Sequence, residues 1–226
     1  MKSNEFKYFS EQVSHHPPIS AAYASSNCGT YELWMNTKMK SVFWGASLDV
    51  EPLGLIHVKL GNFPNELYSI QRPKTAVKNM IVGSMYIEHY GPMTIKRTDL
   101  EGQVNPDDSY DFENVQEMVL DFKAGGWYKN KRNVVEGQVP VKAGSDKFWK
   151  ITGKWTEDIV AFNEETEESV TLFKAKPFPP QHDWQYLFTK FAINLNNLPD
   201  ELVPFLPPTD SRLRPDQRAH ENGDFT

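Results

Sequence analysis

Tyr31-Glu32-Leu33-Trp34-Met35-Asn36-Thr37-Lys38-Met39 places Tyr, Leu, Met, Thr and Met at alternate positions, with Glu, Trp, Asn and Lys between them. A period of two is the mark of a β-strand, whose successive side chains point to opposite faces. Outward from this stretch, strand-like runs follow at Val42 to Val50, Leu55 to Leu60, Leu67 to Gln71, Met80 to Glu88, Met93 to Lys96 and Val115 to Phe122. Further runs stand at Asn133 to Val141, Lys147 to Thr156, Ile159 to Asn163 and Ser169 to Ala175. Turn residues punctuate them: Gly54, Gly61-Asn62, Gly91-Pro92, Gly125-Gly126 and Gly144-Ser145. That spacing predicts a meander of antiparallel hairpins folded as a barrel or a sandwich. The acidic run Glu164 to Glu168 reads as a solvated hairpin turn, and Asp99 to Glu113 as a polar surface insertion.

After Pro177 the texture changes. Pro177-Phe178-Pro179-Pro180 and Leu206-Pro207-Pro208 are too proline-rich for regular structure, and they bracket an apolar segment, Tyr186 to Leu195, that reads as a final strand. Arg212 to His220 reads as a short helix, with Pro215 in its first turn and Gly223 as its stop. Little other helix is expected.

A chain of 226 residues is within the range of one all-β domain, and residues 1–226 are read as one. The hydrophobic share of 39% with 13% aromatics argues for a packed core and against disorder. A net charge of −6 with no basic block argues against a nucleic-acid partner, so any anion must be met by a local cluster. The one cysteine, Cys28, fits a reducing compartment and excludes a multi-cysteine zinc site. The opening residues lack an apolar signal region, and no run of about 18 apolar residues interrupts the chain, so membrane contact is expected to be peripheral.

The densest candidate site is Glu11-Gln12-Val13-Ser14-His15-His16-Pro17-Pro18-Ile19. The two prolines stiffen the backbone that carries two adjacent imidazoles. In a regular strand the rings point to opposite faces, so convergence on one ligand requires an irregular loop. Three readings stand open. One histidine is exposed and the other structural; or both ligate a metal, for which no nearby His, Cys and Asp set is evident; or the pair recognises a phosphate, whose charge favours the imidazolium and draws charge-assisted hydrogen bonds. An enzymatic reading would join Cys28 to His15 or His16, or use the carboxylates Glu164, Glu165, Glu167 and Glu168. The turn-like Ser25-Ser26-Asn27-Cys28-Gly29 shows no mark of an activated thiolate, and no enzyme is expected.

The run at residues 11–19 resembles the fingerprint of the oxysterol-binding protein family. The likeness continues through Lys40-Ser41-Val42-Phe43-Trp44-Gly45, Ile151-Thr152-Gly153-Lys154-Trp155 and Phe191-Ala192-Ile193-Asn194-Leu195-Asn196. It extends through the segment from Leu206 to Arg218, and its character is similar to the fungal long-form members. The resemblance implies a large, antiparallel, incomplete β-barrel around an apolar lipid tunnel. It also implies a carrier that moves one lipid between membranes without a cofactor, touching them peripherally. In the family the histidine pair holds the 4-phosphate of phosphatidylinositol 4-phosphate, which assigns His15 and His16 to that headgroup and Ser41 beside them. Exchange for a sterol or another lipid, and a cytosolic location at endoplasmic-reticulum contact sites or the Golgi, are implied in the same way.

Two departures qualify the carry-over. The family's lid and its Asn-Pro-Leu-Leu-Gly-Glu-type segment with a phosphate-binding lysine have no match here, and neither does its later helix bearing Lys, Glu and Arg at spacings of four. Arg214 and Arg218 are therefore read as structural ion-pair residues holding the C-terminal segment on the barrel. A buried acyl CH₂ gains about 0.8 kcal/mol against water, so a lipid of about 30 such groups is held by roughly 20 to 25 kcal/mol. Extraction from a bilayer is thus near neutral only if the tunnel is dry, and a barrel without those parts is expected to extract weakly. The competing reading is a protein-interaction module that kept the fold and lost carriage.

Overall fold

The computed structural model describes residues 5–100, 115–125, 132–141, 145–177 and 188–224. The chain divides into two compact units: Lys2–Ala175, and Lys176–Thr226 with Met1. Among its described residues the first unit holds thirteen strands and no helix: β1 (Phe6–Ser14), β2 (Ile19–Ser26), β3 (Tyr31–Phe43), β4 (Leu48–Leu53), β5 (Ile56–Leu60), β6 (Phe63–Gln71), β7 (Lys74–Lys78), β8 (Tyr86–Asp99), β9 (Val115–Phe122), β10 (Val134–Pro140), β11 (Phe148–Lys154), β12 (Asp158–Asn163) and β13 (Ser169–Lys174).

All pairings are antiparallel, and the strands form one sheet running β1-β2-β3-β4-β7-β8 and on through β9 to β13. Within it, β5 joins β3 to β6, and β6 joins β8, so that β3, β4, β7, β8, β6 and β5 close a partial ring. This is the expected large, incomplete barrel. The long strands β3 and β8 make it possible. β3 pairs with β5 through Met35 and with β4 from Lys38 onward, while β8 pairs with β7 through Tyr90 and with β6 from Thr94.

The period of two in the Tyr31 stretch becomes two parallel rows of side chains. Ala22, Met35, Ile56, Ile70, Ile95 and Met118 stand opposite one another across six strands. One residue along, Tyr23, Trp34, His57, Ser69, Lys96 and Glu117 form the adjacent row on the reverse face. One face is aliphatic and the other polar or amphipathic, as expected of a sheet that covers an apolar interior on one side. The aliphatic face continues along Met93, Leu120, Gly137, Ile151, Ala161 and Val170. Gly137 is required in that row, since a Cβ there would stand 2.7 Å from the Val119 carbonyl oxygen and 2.6 Å from Leu120.

Several sequence expectations needed correction. The Val42 to Val50 run is broken by a turn at Trp44 to Ser47, and Met80 to Glu88 is a loop as far as Met85, so β8 starts only at Tyr86. Gly91-Pro92 does not end a strand. β8 runs through it while exchanging β7 for β6, so Pro92, without an N–H, lies where that edge has no partner. Strands β1, β2 and β7 carry no alternation strong enough to mark them in advance.

In the second unit the expected final strand is replaced by a helical turn, α1 (Lys190–Ile193). The hydroxyl of Thr189 accepts from the Ala192 N–H at 3.2 Å and its carbonyl accepts from Ile193 at 3.0 Å, an N-cap that favours the turn. The expected C-terminal helix is present as α2 (Pro215–Glu221), with Pro215 in its first turn and Gly223 beyond it at φ +77°. Residues 101–113 of the expected insertion, and Tyr186 and Leu187, lie outside the described residues.

Candidate functional site

The histidine pair occupies the turn that joins β1 to β2. The register slips between Gln12 and Ser14, Ser14 pairs with Ile19, and residues 15–18 form the turn between them. Gln12 donates from Nε2 to the Ser14 carbonyl at 3.3 Å, and the His16-Pro17 peptide is cis. Leaving the strand removes the alternation that would have separated the rings. The imidazole centroids of His15 and His16 are 4.3 Å apart at an interplanar angle of 54°, and both residues are exposed. The turn therefore presents two ring edges together to solvent.

Ser41 stands further along β3. Ile19, the first residue of β2, pairs with Lys38, and β3 then continues five residues past the end of β2 to Phe43. Ser41 is thus displaced roughly 10 Å beyond Lys38 along the strand, in the direction in which the histidine turn leaves β2. Its side chain belongs to the same alternation as Met35 and Thr37, on the apolar face, and it stands in register with Val50, Thr75 and His89. Lys40 alternates to the reverse face opposite Glu51, which pairs with Lys74 at 3.3 Å.

The apolar face carries a hollow of about 270 Å³ lined by Val139, Trp149, Ile151, Ala161, Val170 and Leu172, every one apolar. Pockets for drug-sized ligands run from roughly 300 to 1,000 Å³, so this hollow is a section of wall, not a complete lipid chamber. A polar note on this face comes from His89, half-buried, whose Nδ1 lies 2.9 Å from the Thr75 hydroxyl and whose ring meets Phe122 edge-on and Trp155 at 4.8 Å. Burial pushes its pKa below the ordinary imidazole value.

Sequence reasoning missed the residues at the point where the sheet forks. Thr37 is buried on β3 between the segments that pair with β5 and β4, and Arg72, in the β6–β7 connection, donates from Nη2 to its hydroxyl at 3.0 Å. Beside it, Gln71 donates to the Pro52 carbonyl at 2.9 Å. These contacts cross thirty-five and nineteen positions of sequence, and no local pattern announces them.

The Cys28 candidate separates from the histidines. It lies in the β2–β3 turn, at the opposite end of the eight-residue β2, roughly 25 Å away by strand rise. Hydrogen bonds with Thr30 and Ser26 hold its thiol below the ordinary value, but they are turn contacts around the Ser26 hydroxyl, which also accepts from the Thr30 and Tyr31 N–H groups. The acidic run is the β12–β13 turn. Glu164 pairs with Lys150 at 2.5 Å and accepts from the Phe148 N–H at 3.0 Å, while Asn163 caps the turn by accepting from Glu165 and Thr166. In the second unit, Arg214 pairs with Asp216 and Arg218 donates to the Asn196 carbonyl at 2.9 Å, so the partners seen for both lie within that unit. Among the described residues no helix is long and apolar enough to cross a membrane.

Comparison with known proteins gives a consistent picture. The family model described as oxysterol-binding protein matches residues 1–226. The chain is 35% identical over 220 residues to oxysterol-binding protein-related protein 3 of Mus musculus, covering 97% of this chain and 24% of that one. It is 35% identical over 222 residues to oxysterol-binding protein-related protein 1B of Arabidopsis thaliana, covering 97% and 41%. Among solved structures, the Osh3 ORD in complex with PI(4)P from Saccharomyces cerevisiae matches with a TM-score of 0.76 at 28% identity, over 97% of this chain and 54% of that one. The Osh1 ORD domain in complex with cholesterol matches with a TM-score of 0.77 at 28% identity, over 100% and 53%. The chain thus spans about a quarter to two-fifths of these curated relatives and about half of the solved chains.

Proposed function

This chain belongs to the oxysterol-binding protein family, and from that premise we propose that it binds one membrane lipid and transfers it between membranes. The headgroup taken is phosphatidylinositol 4-phosphate, with His15 and His16 as donors to the phosphate and Ser41 beside them. The single observation that carries this reading is the histidine turn. It holds two imidazoles 4.3 Å apart at an exposed position next to a sheet with one aliphatic face. A phosphomonoester carries nearly two charges and strong acceptor oxygens, and two ring N–H groups held side by side can donate to it together. The Osh3 structure with PI(4)P and the Osh1 structure with cholesterol support the same ligand classes for this chain, with the sterol as exchange partner.

On this reading residues 1–226 work as one partial lipid-binding domain. No reacting atoms are invoked: discrimination comes from phosphate contacts, while the aliphatic face replaces the acyl environment that the bilayer supplied. The carrier acts in the cytosol, peripherally on membranes of endoplasmic-reticulum contact sites or the Golgi. Native mass spectrometry after exposure to liposomes containing phosphatidylinositol 4-phosphate tests it. A one-lipid adduct in the wild type that His15→Ala/His16→Ala loses is the expected result. No adduct in either protein would overturn carriage by this chain and favour the interaction-module reading.

A further inference from the structure

Two neighbouring loops of the β unit carry large apolar side chains at their tips. The β3–β4 turn brings Phe43 and Trp44 to the surface, and the β7–β8 loop does the same for Ile81, Val82 and Met85. Trp44 is 67% exposed, Ile81 71% and Val82 80%. Surface loops are normally polar because their backbone and side chains stay in water, and a contiguous apolar patch of this kind marks an interaction surface. The loops act as one body, since the Met80 N–H donates to the Ala46 carbonyl at 3.0 Å.

We propose that these paired loop tips are the surface that dips into the lipid bilayer, an inference that rests on the carrier reading and names its membrane-facing edge. Three observations select a bilayer over a protein surface. From Phe43 to Leu48 and from Asn79 to Met85 no residue carries a charge, so the tips can leave water without stranding one. The loop backbones satisfy groups internally: Trp44 N–H to the Ser47 carbonyl at 2.8 Å, Ala46 N–H to the Trp44 carbonyl at 3.1 Å, and Asn79 Nδ2 to the Ser84 carbonyl at 3.1 Å. Each such bond lowers the cost of leaving water. Finally, Arg132 is stacked 3.6 Å over the Tyr86 ring after the second loop, while Lys78 before it pairs with Asp49 at 3.5 Å, and that carboxylate accepts from the Trp44 indole N–H at 3.1 Å. At that position Arg132 meets the phosphate layer, and Trp44, its indole N–H already satisfied by Asp49, sits at the interface.

The test is sedimentation of the 226-residue chain with vesicles of phosphatidylcholine alone, which offer no phosphoinositide, so that docking is read separately from the headgroup site. Wild type and His15→Ala/His16→Ala are expected to co-sediment equally. Ile81→Asp/Val82→Asp is expected to bind at least about tenfold more weakly with an unchanged circular-dichroism spectrum, as is the milder Ile81→Ser/Val82→Ser. Brominated acyl chains should quench a fluorescence component that Trp44→Phe removes. Absence of wild-type binding, equal binding by the loop variants, or quenching unaffected by Trp44→Phe would each overturn the proposal. So would a wild-type dimer that the loop variants dissolve without loss of vesicle binding, which would make the patch an interface between copies.

Discussion

The Arg72 guanidinium donates to the Thr37 hydroxyl at 3.0 Å across the fork of the sheet, where β3 passes from β5 to β4. Arg72 is half-buried, its Nε is buried with no partner seen, and burial pulls its pKa below the ordinary guanidinium value. Thr37→Val keeps the shape and removes the acceptor, leaving a second donor of a desolvated cation unmet. It is expected to lower unfolding free energy by about 1–3 kcal/mol, measured by urea titration, with Thr37→Ser costing less. Equal stability of wild type and Thr37→Val would show that water replaces the hydroxyl.

Acid sensitivity follows from His89 and His57, whose pKa values are both pushed down by burial. A histidine whose folded pKa lies below its unfolded value binds fewer protons when folded. Stability is therefore full above the unfolded value, near 6.5, and falls as pH drops from there through the folded value. Thermal melts at pH 7 and pH 5 should show a loss that shrinks in His89→Gln, because the substituted group does not titrate. An undiminished loss would assign the effect elsewhere.

Glu88 is 3% exposed on β8, and its Oε1 accepts from the Gly125 N–H at 2.5 Å. Glu88→Ala strands that N–H and opens space, so a loss of about 2–3 kcal/mol is expected by denaturant unfolding. A change below 0.5 kcal/mol, within the range of ordinary surface substitutions, would refute the anchoring role.

His15→Ala/His16→Ala removes two exposed rings that pack on each other and not on the core. Stability is expected to stay within about 0.5 kcal/mol of wild type while the phosphoinositide adduct disappears. If the variant unfolds instead, the turn is structural and loss of the adduct carries no information about the headgroup.

Cys28 is exposed and its thiol is held below the ordinary value by Thr30 and Ser26, so a maleimide should label it readily. Lipid uptake should be unchanged by the label, given the length of β2 between it and the histidines. Loss of uptake on labelling would revive a role for the thiol.

The sequence by itself determined the β character, the helix after Pro215 and the histidine cluster, because each is local. Alternation at Tyr31–Met39, a proline fixed for a first helical turn, and nine adjacent residues are all read within one short window. With one local exception, what it left illegible was set at long range. Tyr186 to Leu195 has apolar content suited to either a strand or a helix, and the Thr189 cap favoured the helical turn described at Lys190–Ile193. Gly91-Pro92 looked like a turn, yet β8 passes through it with Gly91 at φ +83° while exchanging β7 for β6 on that edge. The fork at Thr37 and the joining of two apolar loop tips through Met80 and Ala46 depend on partners that only the folded sheet brings together. Tertiary structure alone decided them because strand pairing is chosen by the free energy of the whole sheet, which no single window of sequence contains.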